Sequence, residues 1–182
     1  ASGLFYGQRL LEFLRPTEIE THLIVSKNAQ LVRVKETNYP KGFLESLADV
    51  CYFPEDFSAS ISSGSYITMG MIIAPCSVRS LSEIASGVTT TLLTRSADVV
   101  LKEHRKLVLL LRETPLHLGH LESMVKVAKM GGIIAPPVPA FYHHPQTIED
   151  IIDQTVGRAL DLFDIETDLA VRWGENLSCS KK

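Results

Sequence analysis

Four polar stretches in this sequence each follow a short apolar run, and their residue types share one chemistry. Ser77, Val78, Arg79 and Ser80 follow GMIIAPC, Arg112-Glu113-Thr114 follows KLVLLL, Ser26 closes THLIVS, and Tyr142, His143 and His144 come after GIIAP. Hydroxyls and backbone N–H groups at a helix start are donors suited to phosphate. Arg112 adds a planar fork and Lys102 a mobile point charge. Ser2 offers a further donor, in the small-residue turn ASG that opens the chain directly before LFYGQRLLEFL. Together these residues predict an anion-binding edge.

Each residue also has a plainer reading. Ser2, Ser26, Ser77 and Ser80 suit helix N-caps, and Lys102, late in a helix, complements the helix dipole. Arg112 with Glu113 reads equally as a surface ion pair, and Glu36 in KETNYP as a helix-end charge. Arg158 lies on the flank of an apolar stripe where arginines snorkel, and Tyr142, behind three prolines, reads as packing. His117 and His120, with Glu122 nearby, are spaced three apart, a pattern more common at solvated helix starts than in metal sites, so no metal is expected. His143 and His144 read as loop surface.

The elements that must position these groups follow from apolar spacing. Residues 4–14 predict a helix from Tyr6, Leu10, Phe13 and Leu14. THLIVS and DVCYF (49–53) predict strands, with a helix over KNAQLVRVKE between them. GMIIAP (70–75), KLVLLL (106–111) and GIIAP (132–136) are apolar on both faces, as buried parallel strands are. Helices are predicted over 80–87 with Ser80 as N-cap and Gly87 as stop, over 94–103, over 118–132, and over 147–163 with a Thr147/Asp150 capping box. In the last, Ile148, Ile151, Ile152, Ala159 and Phe163 read as one stripe. Strands alternating with helices imply an α/β three-layer fold with a mostly parallel sheet. Ligands in such sheets sit beyond the carboxyl ends of the strands, where the polar stretches fall.

Composition sets bounds. The 182 residues are 45% hydrophobic and 21% charged, which suits one domain over 1–173 with a polar tail over 174–182. A net charge of −3 gives no reason to expect nucleic acid, and no apolar run is long enough to span a bilayer. Three scattered cysteines, Cys51, Cys76 and Cys179, form neither a disulfide framework nor a zinc site. With no secretory leader in the sequence, a cytoplasmic setting is expected.

Taken together, ASGLFYGQRLL, ETHLIVSKNAQ, SISSGSYITMGMIIAPCSVRSLS, RSADVVLKEHRKLVLLLRETPLHLGHLESM and PPVPAFYHHPQTIEDIIDQTVGRALD resemble the UbiX-type flavin prenyltransferases, once called phenylacrylic acid decarboxylases. The resemblance runs from residue 1 to about Trp173. It implies a Rossmann-like flavoprotein, typically a dodecamer with FMN between subunits. Such an enzyme joins a dimethylallyl group from dimethylallyl monophosphate to N5 and C6 of reduced FMN, without a metal, and hands the product to a UbiD-type decarboxylase. By the same resemblance, Ala1 and Ser2 belong to the flavin-phosphate turn, and Ser26, Ser77, Val78, Arg79, Ser80 and Arg112 are further FMN contacts. Tyr142 and Arg158 match contacts to the prenyl phosphate with Lys102 beside them, and Glu36 and Glu113 match active-site acids. The family's first strand, ending in Gly, is expected to precede Ala1, and Ser80 stands where a Thr is common.

Two other functions compete. A flavin-dependent cysteine decarboxylase of related fold needs a His soon after its first strand, and residues 1–21 contain none. A non-catalytic flavin store would not require the combined Lys102, Arg112, Glu113, Tyr142 and Arg158.

Overall fold

Every helix and strand anticipated from apolar spacing is present in the computed structural model, which describes residues 1–174. In chain order these are α1 (Leu4–Leu14), β1 (His22–Ile24), α2 (Lys27–Glu36), β2 (Val50–Tyr52), β3 (Gly70–Cys76), α3 (Val78–Ser86), α4 (Leu92–Lys102), β4 (Lys106–Leu111), α5 (Leu118–Lys129), β5 (Ile133–Ile134) and α6 (Ile148–Asp161). Short 3₁₀ turns at Glu45–Leu47 and Ser60–Ser62 were not signalled by any apolar period. Most of the expected polar tail, with Cys179, lies outside the described residues.

The chain divides into two compact units, Ala1–Pro136 and Pro137–Lys182. In the first, all strand pairing is parallel: β1 with β2, and β3 with β4 with β5. Among the described residues the two ladders are not joined to each other. β4 lies at the centre of its sheet, and Leu107, Val108 and Leu109 are fully buried on alternating faces. Burial of each such side chain is worth about 1.5–3 kcal/mol, so this strand anchors the unit. Around it pack Ile73 and Cys76 of β3, Leu81 and Ile84 of α3, Ala97 and Val100 of α4, and Val127 of α5. Burial pushes the Cys76 thiol up to about 12, which makes it core filler and not a nucleophile.

Helix ends differ from expectation in two places. The N-cap of α3 is Ser77, whose hydroxyl accepts the Ser80 N–H at 3.2 Å, and not Ser80 itself; Gly87 does close the helix with φ +69°. α4 begins at Leu92 because Thr91 and Thr94 form a reciprocal capping box. In the second unit the Thr147/Asp150 capping box of α6 forms, but Ile148 is 72% exposed. The face that α6 buries carries Gln154, Val156, Ala159 and Leu160.

One close approach sets the height of α1 above the sheet. A Cβ on Gly7 would lie 2.7 Å from the Ala74 carbonyl oxygen, so the helix rests directly on β3. Gly7→Ala is therefore expected to destabilise the protein by about 1–3 kcal/mol through overpacking against backbone. Urea unfolding checks this, and a change below about 0.5 kcal/mol would contradict it.

Candidate functional site

The carboxyl ends of β1, β3 and β4 lie in the first unit, and the serines that follow β1 and β3 take the helix-capping role that was their plainer reading. After β1, Ser26 caps α2, its hydroxyl accepting the Ala29 N–H at 3.1 Å. After β3, Ser77 caps α3, and its hydroxyl lies 3.2 Å from that of Ser80. After β4, the Arg112 N–H donates to the Cys76 carbonyl at 3.0 Å, which stitches the two strand ends together. That bond sets Arg112 beside the start of α3, where backbone N–H groups and two hydroxyls converge. The Arg79 guanidinium is turned along its own helix, its Nε 2.8 Å from Glu83, so Val78 and Arg79 offer this edge their backbones.

The turn before α1 has a partner that the sequence did not announce. Gly3 adopts φ +105°, and its N–H donates to both Glu36 carboxylate oxygens at 3.2 and 3.0 Å; the Leu4 N–H adds a bond of 3.3 Å. Burial works to raise the Glu36 pKa, but hydrogen bonds from Ser2, Gly3 and Leu4 outweigh it and hold the carboxyl below its ordinary 4.5. Glu36 thus stands as a carboxylate on the helix start that Ala1 and Ser2 were expected to offer to phosphate. A depressed folded-state pKa gives stability that is present above pH 4.5 and lost as pH falls through the folded value. Glu36→Gln should therefore flatten the loss of stability below that pH. Urea unfolding at pH 5 and pH 3.5 checks it, and an unchanged acid slope would refute the contact.

Beside Glu36 a cleft of about 380 Å³ opens, walled by Phe5, Val34, Lys35, Thr37, Asn38 and Tyr39. Phe5 meets Tyr39 edge-on at 6.4 Å, and Tyr39 stacks on Phe43 at 4.3 Å. Tyr6 lies nearby: burial raises its pKa, and the Arg112 guanidinium pulls it the other way. Phe5, Tyr6 and Tyr39 were not among the candidate residues drawn from the sequence. For the first two, the available signal was an aromatic pair one residue past the ASG turn.

Lys102 is not brought to this edge. It ends α4, and a helix that precedes a parallel strand ends at that strand's amino edge. The six residues of β4 then carry the chain about 20 Å to Arg112 and Glu113. Lys102 pairs instead with Glu103, against Gly64, whose loop carbonyls at Gly64 and Tyr66 are held by Arg105 at 2.9 and 2.8 Å. Glu113 is exposed at the far end, accepting the Thr114 N–H at 3.1 Å.

The fourth polar stretch passes at Pro137 into the second unit. There the Tyr142 hydroxyl donates to the Val171 carbonyl at 3.0 Å and accepts from Gln154 Nε2 at 2.8 Å. Its ring meets the edge of Trp173 at 5.2 Å. Arg158, one turn along α6 from Gln154, pairs with Asp161, whose carboxylate Arg172 also grips. The Arg172 hydrogen bonds, with help from Arg158, hold Asp161 below the usual carboxylate range. The rings of His117 and His120 stack at 3.6 Å, and among the described residues no three potential metal ligands gather.

Hydroxyl-capped helix starts with an adjacent arginine suit a ligand that carries a phosphate. Comparison with known proteins agrees. A profile of the family described as Flavoprotein matches residues 1–160. The flavin prenyltransferase UbiX of Salmonella typhimurium is 54% identical over 176 residues, covering 95% of this chain and 93% of its own. A dodecameric FMN-dependent UbiX-like decarboxylase from Escherichia coli O157:H7 superposes with TM-score 0.92 at 47% identity, over 95% of this chain and 94% of that one. The structure of AnUbiX (PadA1) in complex with FMN and dimethylallyl pyrophosphate gives TM-score 0.93 at 47% identity, over 95% and 92%.

Proposed function

The chain belongs to the UbiX-type flavin prenyltransferases of the flavoprotein family, and on that premise we propose how its residues divide the work. The protein is a transferase that makes prenylated FMN, with FMN as its cofactor. When bound, reduced FMN supplies the ring whose N5 and C6 accept the dimethylallyl group. Ser77, Ser80 and the backbone of Val78 and Arg79 hold its phosphate with Arg112, while Ser26 and the Ala1-Ser2 turn bound the same site. The observation that supports this assignment is the bond from the Arg112 backbone N–H to the Cys76 carbonyl, which brings that residue's backbone next to the Ser77 cap of α3.

Tyr142 and Arg158 take the phosphate of the prenyl donor, dimethylallyl monophosphate. Breaking the allylic C–O bond leaves charge on that phosphate, and fixed donors stabilise it as it departs. Glu36, held ionised, orients groups on the ring through its hydrogen-bonded carboxylate, and Glu113 moves protons as the new ring closes. Arg158→Ala should raise the donor KM by about 10²-fold while FMN affinity shifts less than about twofold. Steady-state kinetics with fluorescence titration of FMN checks it, and equal effects on both ligands would contradict the division.

Lys102 reaches donor phosphate from a second copy of the chain. Its place at the opposite end of β4 from Arg112 supports this reading, as does a relative of the same fold that is dodecameric. Apolar side chains left in water, such as Leu31 at 68% and Ile67 at 85%, suit assembly of copies. We place residues 1–173 in one working flavoprotein domain in the cytoplasm, with a UbiD-type decarboxylase receiving the product. Anaerobic incubation with reduced FMN and either dimethylallyl monophosphate or the diphosphate tests the activity. A flavin heavier by one five-carbon unit is expected with the monophosphate, and unchanged FMN with both would leave a flavin store.

A further inference from the structure

The one buried polar side chain of α6 has every hydrogen bond directed at a single place. Gln154 is 4% exposed, and its Nε2 donates to the Tyr142 hydroxyl at 2.8 Å and to the Val171 carbonyl at 3.2 Å, while its Oε1 accepts the Val171 N–H at 2.8 Å. The strand of chain that carries Val171 lies directly on α6, since a Cβ on Gly157 would sit 2.7 Å from the Ala170 nitrogen. A phenol has one proton to donate, and here Tyr142 gives it to the Val171 carbonyl. To donate to a phosphate oxygen, that hydroxyl must turn away from the carbonyl. The carbonyl then keeps a partner only because Gln154 Nε2 also reaches it, and the phenol oxygen stays located because Nε2 donates to it throughout. A half-buried carbonyl left without any partner would oppose the turn.

We propose that Gln154 is a positioning residue for prenyl-donor binding: it lets the Tyr142 hydroxyl exchange Val171 for the donor phosphate while its oxygen is held in place. This rests on the reading that Tyr142 contacts the donor phosphate. Gln154→Leu removes all three bonds at similar volume, so Tyr142 is tied to Val171 and the donor loses one hydrogen bond. The donor KM should rise about tenfold, with kcat and FMN affinity within about twofold of the parent. Because Gln154 acts through the hydroxyl, adding Gln154→Leu to Tyr142→Phe should raise the donor KM no further.

The experiment is a double-mutant cycle on the full chain loaded with FMN, titrated with dimethylallyl monophosphate, with Gln154→Met run in parallel as a second shape-matched variant. Emission of Trp173, the sole tryptophan, reports whether the Tyr142 contact is retained. A tenfold KM effect confined to the Tyr142 background supports the proposal. It is overturned by a parental KM in both Gln154 variants, by the same rise in the Tyr142→Phe background, or by loss of FMN binding in both variants, which would make Gln154 a structural residue only. A parental KM for Tyr142→Phe alone would instead remove the donor-phosphate reading itself.

Discussion

Glu113→Gln is expected to take up FMN with unchanged affinity and to lose prenylated product by about 10²–10⁴-fold. The carboxylate stands exposed just past Arg112 and accepts the Thr114 N–H at 3.1 Å. A glutamine carbonyl accepts that same bond, so the turn after β4 keeps its geometry. What the substitution removes is a group able to take a proton and release it. Ring closure needs both events, one as the donor's phosphate departs and one as the new bond to the flavin forms. Mass spectrometry of the extracted flavin, alongside fluorescence titration of FMN, separates the two effects. Normal output of the five-carbon adduct from Glu113→Gln would end its assignment as the proton carrier. A loss of FMN binding would instead move Glu113 into the flavin site.

Lys102→Ala and Arg112→Ala should each lower activity by about 10²-fold or more when tested alone, because each withdraws a cation from a phosphate. Mixed in one assembly, the two inactive chains should recover activity. The two residues sit at opposite ends of β4, about 20 Å apart along the strand, so a site with Arg112 of one chain at the flavin phosphate takes the Lys102 at its donor phosphate from another chain. In a mixed oligomer some sites draw Lys102 from one parent and Arg112 from the other. With random mixing of equal amounts, about a quarter of the sites are complete. Co-expression of the two variants with differently tagged chains measures this directly. Activity no greater than the sum of the parents would mean that the site is built within one chain, with Lys102 serving only its ion pair with Glu103.

Much of the fold was legible because its signals are local. Apolar residues on both faces mark β3 and β4 as buried parallel strands, and the Gly87 and Thr147/Asp150 signals place the ends of α3 and α6 where the chain puts them. Ser77 displaced Ser80 as N-cap of α3 because two serines three apart satisfy the same sequence rule, and only backbone geometry chooses between them. Ile148 was assigned to the buried stripe by spacing alone. It is exposed because the buried face of α6 is defined by what packs on it, including Ala170 against Gly157.

The sequence by itself determined the α/β architecture, the mostly parallel strand pairing and the placing of hydroxyl- and guanidinium-bearing residues just after strands, though not the division of the strands into two ladders. Those properties follow from residue periodicity and from the fact that consecutive elements in such folds alternate direction. The tertiary structure alone decided which groups meet. Glu36 reaches the start of α1 across 33 residues of sequence, Gln154 reaches Val171 across 17, and Lys102 is carried away from Arg112 although only ten positions separate them. Contacts of that kind depend on how elements pack, and neither propensity nor spacing within one element encodes the partner that another element will bring.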